Sequence, residues 1–296
     1  MKKVALLLAD EENAYQQLLV KNAMELSGRY GVEVLPPLFA GNREVQQISQ
    51  FYDCISGPTP PDGIISMLVS AESMKGSLEE VAKAGVDCVL VNRIPAFLPQ
   101  MSEEHSEVLL ASVAPDQVEI GRLQGRQCLK ILPDGGKVIL VLGVHGAPSA
   151  LERRKGFLEV TGDRVTVQEL HGRWLMERAE AAVNHFLEIG GARDMIDLFV
   201  CQSDPMAAGV RAALDNQAKL LASPEIAKIP IIGCDGLPDE GQRMVMTEKI
   251  DATVVMPPSS PKALEILSEY WQQGVRTLNA TLPPTSFPPV DELKPR

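Results

Sequence analysis

Short runs of consecutive apolar residues recur along the chain, separated by longer stretches in which apolar positions return every three or four residues. The runs at 3–9, 32–38, 63–69, 87–92 and 108–113 occupy the first part. Those at 137–143, 165–170, 197–202, 229–234 and 251–256 occupy the second. Several are apolar without alternation, the pattern of parallel strands covered by helices on both faces. The stretches between them predict helices. In 14–30, Leu18, Leu19, Ala23 and Leu26 share one face, and Gly31 is placed to end it. In 76–85, Leu78, Val81 and Ala82 repeat at helical spacing before Gly85, and 177–189 and 258–273 are also amphipathic. Regular alternation of the two patterns predicts parallel sheets with right-handed crossovers.

Ten such strands are many for one open sheet. After about residue 113, "APDQVEIGRLQGRQ" starts a new helix and a second strand–helix series, which predicts two doubly wound α/β domains. There is no tandem sequence repeat. The Pro-rich tail "LPPTSFPPVDELKPR" reads as an extended strap or a frayed end.

Composition narrows the classes of function. A net charge of -11 argues against a nucleic-acid partner, which needs clustered Lys and Arg. No apolar stretch is long enough for a membrane span, so direct membrane insertion is not expected. The start "MKKVALLLADEENA" has a short apolar run, but Asp10, Glu11 and Glu12 follow at once without a cleavage site. It reads as a first strand, leaving two alternatives: a cytoplasmic chain, or one whose leader was removed. Five cysteines, dispersed and without CxxC spacing, predict neither a zinc site nor a disulfide framework. The phosphate-, dinucleotide-, hydrolase- and zinc-binding motifs sought are missing, so no cofactor or metal is expected.

In open α/β sheets, ligands bind beyond the carboxyl ends of the strands. Several strands here end in polar groups: 87–92 in Asn92-Arg93, 197–202 in Ser203-Asp204, and 229–234 in Asp235-Gly236. Each has an ordinary alternative. Asp204 before Pro205 suits a helix N-cap, and Asp235 suits a turn with Gly236. Tyr15 could pack on Leu18 and Leu19, and Trp174 could be core. Arg153 is harder to explain, because "SALE" (149–152) matches a capping box with Ser149 as the cap. That would put a cation in the first helical turn, against the dipole. His145, in a strand-exit loop, could line a cleft or simply be solvated. Asp204 and Asp235 could together serve acid–base chemistry, but no motif supports it.

The order and spacing of "SALERRKGF" (149–157), "CQSDPMAAGVRAAL" (201–214) and "PIIGCDGLPDEG" (230–241) resemble type I periplasmic sugar-binding proteins of the ribose-binding kind. The effector domains of LacI-type repressors are similar. The resemblance runs from the first strand to "DATVVMPPSS" (251–260). It implies two Rossmann-like lobes joined by a three-strand hinge: 1–114 with 257–284, and 115–256 with 285–296. It also implies a sugar held by hinge closure, an ABC permease or membrane receptor as partner, and a place in the periplasm or cell envelope.

By position, the resemblance implies first-loop contacts at Asn13, Tyr15 and Gln16 and a strand-end pair at Asn92 and Arg93. It places the second-lobe arginine at Arg153, the stacking aromatic at Trp174 and the strand-end carboxylate at Asp235. Four site positions, Gln16 among them, depart from the family pattern. Gln16 replaces a second aromatic, while Met67, Ser203 and Met256 stand where amides are expected. Fewer hydroxyl partners and more apolar surface imply a deoxygenated, substituted or partly apolar ligand at least as readily as plain ribose. A cytoplasmic sensor module and an α/β enzyme are the other readings.

Overall fold

A computed structural model describes residues 1–190 and 196–296, which form two compact units. The first comprises Met1–Pro115 and Pro257–Leu282, the second Asp116–Met256 and Pro283–Arg296, so the chain crosses between them three times.

Along Met1–Pro115 run β1 (Lys2–Leu8), α1 (Ala14–Leu26), β2 (Val32–Val34), β3 (Leu38–Phe39), α2 (Glu44–Ser56) and β4 (Gly63–Ser66). These are followed by α3 (Lys75–Lys83), β5 (Asp87–Val91), α4 (Leu98–Glu104) and β6 (Leu110–Pro115). Asp116–Met256 contains α5 (Gln117–Ile131), β7 (Gly136–Leu142), α6 (Pro148–Thr161), β8 (Val165–His171) and α7 (Met176–Glu188). Then come β9 (Leu198–Cys201), α8 (Asp204–Leu220), β10 (Ile231–Asp235), α9 (Arg243–Met246) and β11 (Ala252–Val255). The last segments supply α10 (Ser260–Gln273) and β12 (Asn279–Leu282) to the first unit and β13 (Thr285–Phe287) to the second.

The first unit's sheet has the order β12-β6-β5-β4-β1-β2, with β3 also on β1; the second has β13-β11-β10-β9-β7-β8. All pairings are parallel except β11 with β13. The unbroken apolar runs are explained in the second unit. Val138, Leu140 and Leu142 of β7 pack with Phe157 and Cys128 on one face, while Ile139 and Val141 pack with Val183 and Val210 on the other. A strand covered on both faces has no polar side to show, and each buried side chain stabilises the fold by about 1.5–3 kcal/mol.

One expectation changes, and of the two readings of the tail the strap is the one found. The run 32–38 is two short strands, because Pro36 and Pro37 cannot donate to a ladder. The Pro-rich tail does not fray: β13 adds antiparallel to β11, and Leu293 is buried in the second unit's core.

Helix–helix packing brings backbone onto backbone where glycines meet. A Cβ on Gly121 of α5 would lie 1.9 Å from the carbonyl oxygen of Arg153, and one on Gly156 of α6 would lie 1.9 Å from that of Val118. This contact holds the turn of α6 that carries Arg153.

Candidate functional site

In the second unit the strand ends converge on Arg153. Helix α6 begins at Pro148, with Ala147 as an N-cap that makes no side-chain hydrogen bond. The expected capping box at Ser149 is therefore absent, since proline suits the first helical position. Arg153 falls beyond the first turn, so no dipole penalty arises. Its side chain is instead buried, at 5% exposure. Nε donates to Gln117 Oε1 at 2.7 Å, one terminal nitrogen to the Gln202 carbonyl and to Cys234 Sγ at 3.3 Å, and the other to Met256 Sδ at 3.0 Å. The guanidinium also lies 5.5 Å from the centre of the Trp174 ring.

Trp174 is half-buried and lies beyond the end of β8. Arg173 and Trp174 both have positive φ, at 54° and 68°, an uncommon backbone for bulky residues. The indole lies directly against Gly143, where a Cβ would be 2.0 Å from Cζ2. Gln202, fully buried, ties this corner together: its Oε1 accepts from Gly143 N at 3.0 Å and its Nε2 donates to the Ala150 carbonyl at 2.9 Å.

Asp235 ends β10 with a φ of 117°, followed by Gly236 at 63°. Burial pushes its carboxyl up to about 7, although the Arg153 charge pulls it down. Asp204 is not the N-cap expected before Pro205. Ser203 holds that place, with its hydroxyl accepting from Met206 N at 3.4 Å, and Asp204 is the first helical residue. The Asp204 carboxylate is sealed from solvent and accepts from Gly236 N at 2.7 Å and Thr253 Oγ1 at 2.7 Å. Burial, then the charge of Asp235, raises it well above the usual carboxylate range.

The first unit gathers a second set. Asn92, with φ 63° at the exit of β5, accepts at Oδ1 from Ser259 Oγ at 2.9 Å and from the Tyr15 hydroxyl at 3.3 Å. That hydroxyl also lies 3.0 Å from the Pro257 carbonyl. Tyr15 is only 6% exposed, so it anchors the chain at 257–259 and is no open platform for stacking. Arg93 donates to the carbonyls of Leu68 at 2.8 Å and Val69 at 2.5 Å. Met67 is half-buried at the exit of β4.

Two expected contacts turn to internal work. Asn13 is the N-cap of α1, its side chain accepting from Gln16 N at 3.1 Å. Gln16 is buried, and its Oε1 accepts from Ala9 N and Asp10 N, which closes the loop after β1. Ser203 and Met256 are likewise engaged, by the α8 cap and by Arg153. His145 is exposed, edge-on to His171 at 5.7 Å. A cavity of about 890 Å³ elsewhere in the second unit, lined by Arg211, Asp215, Lys249 and Arg296 among others, contains none of these residues.

Gln117, Gln202 and Ser259 were not foreseen. Only Gln202 had a visible signal, an amide on the final position of an apolar run.

A family model described as a periplasmic binding protein domain matches residues 4–272. A "Putative rhizopine-binding protein" of Rhizobium meliloti is 27% identical over 193 residues, 64% of this chain and 59% of that protein. The "Ribose import binding protein RbsB" of Salmonella typhimurium is 28% identical over 151 residues, 51% of this chain and 48% of that protein. The chain thus spans about half the length of the curated relatives it matches. Among solved structures, a periplasmic solute-binding protein from Actinobacillus succinogenes with bound D-allose superposes with a TM-score of 0.83. It is 19% identical, and 97% of each chain is covered. The Caulobacter myo-inositol binding protein gives 0.77 at 21% identity, over 96% of this chain and 92% of that one. At these identities the structural likeness establishes the fold.

Proposed function

The chain belongs to the periplasmic binding protein domain family, and on that premise we propose that it captures a monosaccharide or sugar-like small molecule by hinge closure. Delivery to an ABC-type transporter or a membrane receptor, in the periplasm or cell envelope, completes the reading. No described helix is long and apolar enough to cross a membrane.

The observation that carries the reading is the arrangement of Asp235, Arg153 and Trp174 at the strand exits of one sheet. An indole face packs against the C–H face of a sugar ring, and a carboxylate at its edge accepts from hydroxyls. Arg153 already has internal partners, so its part is to hold Trp174 and balance Asp235 while it borders the ligand. In the first unit, Asn92 and Arg93 are the proposed partners for ligand hydroxyls. Asn13, Tyr15, Gln16 and Ser203 support the loops that carry these groups. Met67 offers a thioether at the exit of β4 and Met256 spends its own on Arg153, which favours a ligand with fewer hydroxyls than ribose, or with a substituent.

We read the chain as a binding protein rather than an enzyme. Asp204, the second carboxylate an acid–base pair would need, is sealed and has both oxygens hydrogen-bonded.

A thermal-shift screen over sugars, polyols and their deoxy and O-methyl derivatives tests the proposal. A ligand should raise Tm in a concentration-dependent way, by mass action on the native state. A flat response across the library at millimolar concentrations would contradict it.

A further inference from the structure

We infer that Asp204 is the positioning residue for Asp235: its carboxylate, held in the first turn of α8, clamps the exit of β10 and so sets the direction in which the Asp235 carboxylate points. The inference rests on the reading of Asp235 as a ligand contact, but the clamp itself can be tested without ligand.

The clamp has two arms. In one, the Asp204 carboxylate accepts the backbone N–H of Gly236 at 2.7 Å, just after Asp235. In the other, the same carboxylate accepts from Thr253 Oγ1 at 2.7 Å, which fixes Asp204 to the neighbouring strand β11. The pocket is shaped for this one side chain. A Cβ on Gly233 would lie 2.1 Å from Asp204 Oδ1, and one on Gly241 would lie 1.9 Å from Oδ2. Any side chain at either position would displace the carboxylate.

The clamp also accounts for the backbone. Asp235 has a φ of 117°, a region that residues other than glycine rarely adopt. A conformation of this kind costs about 1–3 kcal/mol and persists only where surrounding bonds over-determine it. The Asp204 bond to the N–H of Gly236, the residue that follows, supplies part of that constraint.

Charge makes the coupling electrical as well as geometric. The groups facing the pair are Glu240 on the turn after β10, the Cys201 thiol at the end of β9, the Cys234 thiol on β10 and the Arg153 guanidinium on α6. Three carboxylates and one guanidinium share the corner. The Asp235 charge adds to burial in raising Asp204, so of the two carboxyls the sealed Asp204 is the one held neutral more readily.

Two substitutions separate geometry from charge. Asp204→Asn keeps an oxygen for Gly236 N–H and an amide toward Thr253, while removing the charge. Asp204→Ala removes the clamp. In ligand-free protein labelled for NMR, Asp204→Asn should leave the Gly236 amide protected from hydrogen exchange, because the side-chain oxygen still accepts it. Asp204→Ala should abolish the hydrogen-exchange protection of the Gly236 amide, with core amides of β9 and β10 still protected. A Gly236 amide that exchanges freely in the asparagine variant, or one still protected in the alanine variant, overturns the clamp.

Isothermal titration with D-ribose, myo-inositol and xylitol then connects it to binding. For any of these that binds wild type, Asp204→Ala and Asp235→Ala should each weaken affinity about tenfold or more, and the double variant should be no worse than Asp235→Ala alone. Additive losses would show that Asp204 acts apart from Asp235 and overturn the inference. If none of the three binds wild type, the same comparison is made with a ligand from the thermal-shift screen; a flat screen with the NMR results intact puts the fault in the proposed ligand class, not in the clamp.

Discussion

Arg153 shows how one buried side chain organises a site. Its guanidinium bonds to Gln117, the Gln202 carbonyl, Cys234 and Met256 and faces the Trp174 ring. Arg153→Lys keeps the charge but loses the planar fork, leaving Gln117 and the Gln202 carbonyl without donors. We expect it to destabilise the protein by about 2–4 kcal/mol, read from the denaturant midpoint. A change below about 0.5 kcal/mol would mean these bonds carry no net stability. Asp235 yields a pH prediction. Its carboxyl is raised in the folded protein to about 7, against an ordinary value of about 4 in the unfolded chain. The native state therefore binds the proton more tightly, and this contribution is full below the unfolded value and lost as pH rises through about 7. Asp235→Asn removes it, so calorimetry should show the variant gaining Tm over wild type at pH 8 relative to pH 5. An equal difference at both pH values would contradict the assignment.

At the scale of elements, glycines set where helices and loops can meet. Gly143→Ala would drive a methyl into the Trp174 indole, and Gly121→Ala would drive one into the carbonyl of Arg153. Overpacking of this kind costs about 1–3 kcal/mol. The two variants should differ in their second effect. Gly143→Ala should alter Trp174 fluorescence, with Trp271 as the unchanged background, whereas Gly121→Ala should act chiefly on stability. Strand and helix succession was legible in the sequence because strands buried on both faces must be apolar throughout. Caps were less legible. Ser149 before Glu152 and Asp204 before Pro205 both matched capping patterns, yet the neighbouring Pro148 and Ser203 set the helix starts. Candidate site positions at strand exits, such as Asn92 and Arg93 in the first unit and Asp235 in the second, could be named from the end of an apolar run. Gln117 could not, because its role depends on α5 and α6 meeting at Gly121 and Gly156, a contact no local pattern announces. Nor could Tyr15's bond to Pro257, which joins residues 242 positions apart.

For the whole molecule, the tail and the three chain crossings matter most. Leu293 is buried in the second unit's core, and the Arg296 side chain reaches Asp251 at 2.6 Å while its N–H meets the Ile131 carbonyl. Truncation after Phe287 should therefore lower Tm by several degrees, which differential scanning calorimetry would register; an unchanged Tm would show that the strap adds nothing. The central claim, capture of a sugar-like molecule through Trp174 and Asp235, is tested most directly by calorimetric titration with a ligand found in the screen, using wild type beside Trp174→Ala. The account predicts saturable one-site binding that weakens about tenfold or more in the variant, as loss of a stacking aromatic does. Equal affinity in the two proteins would contradict it.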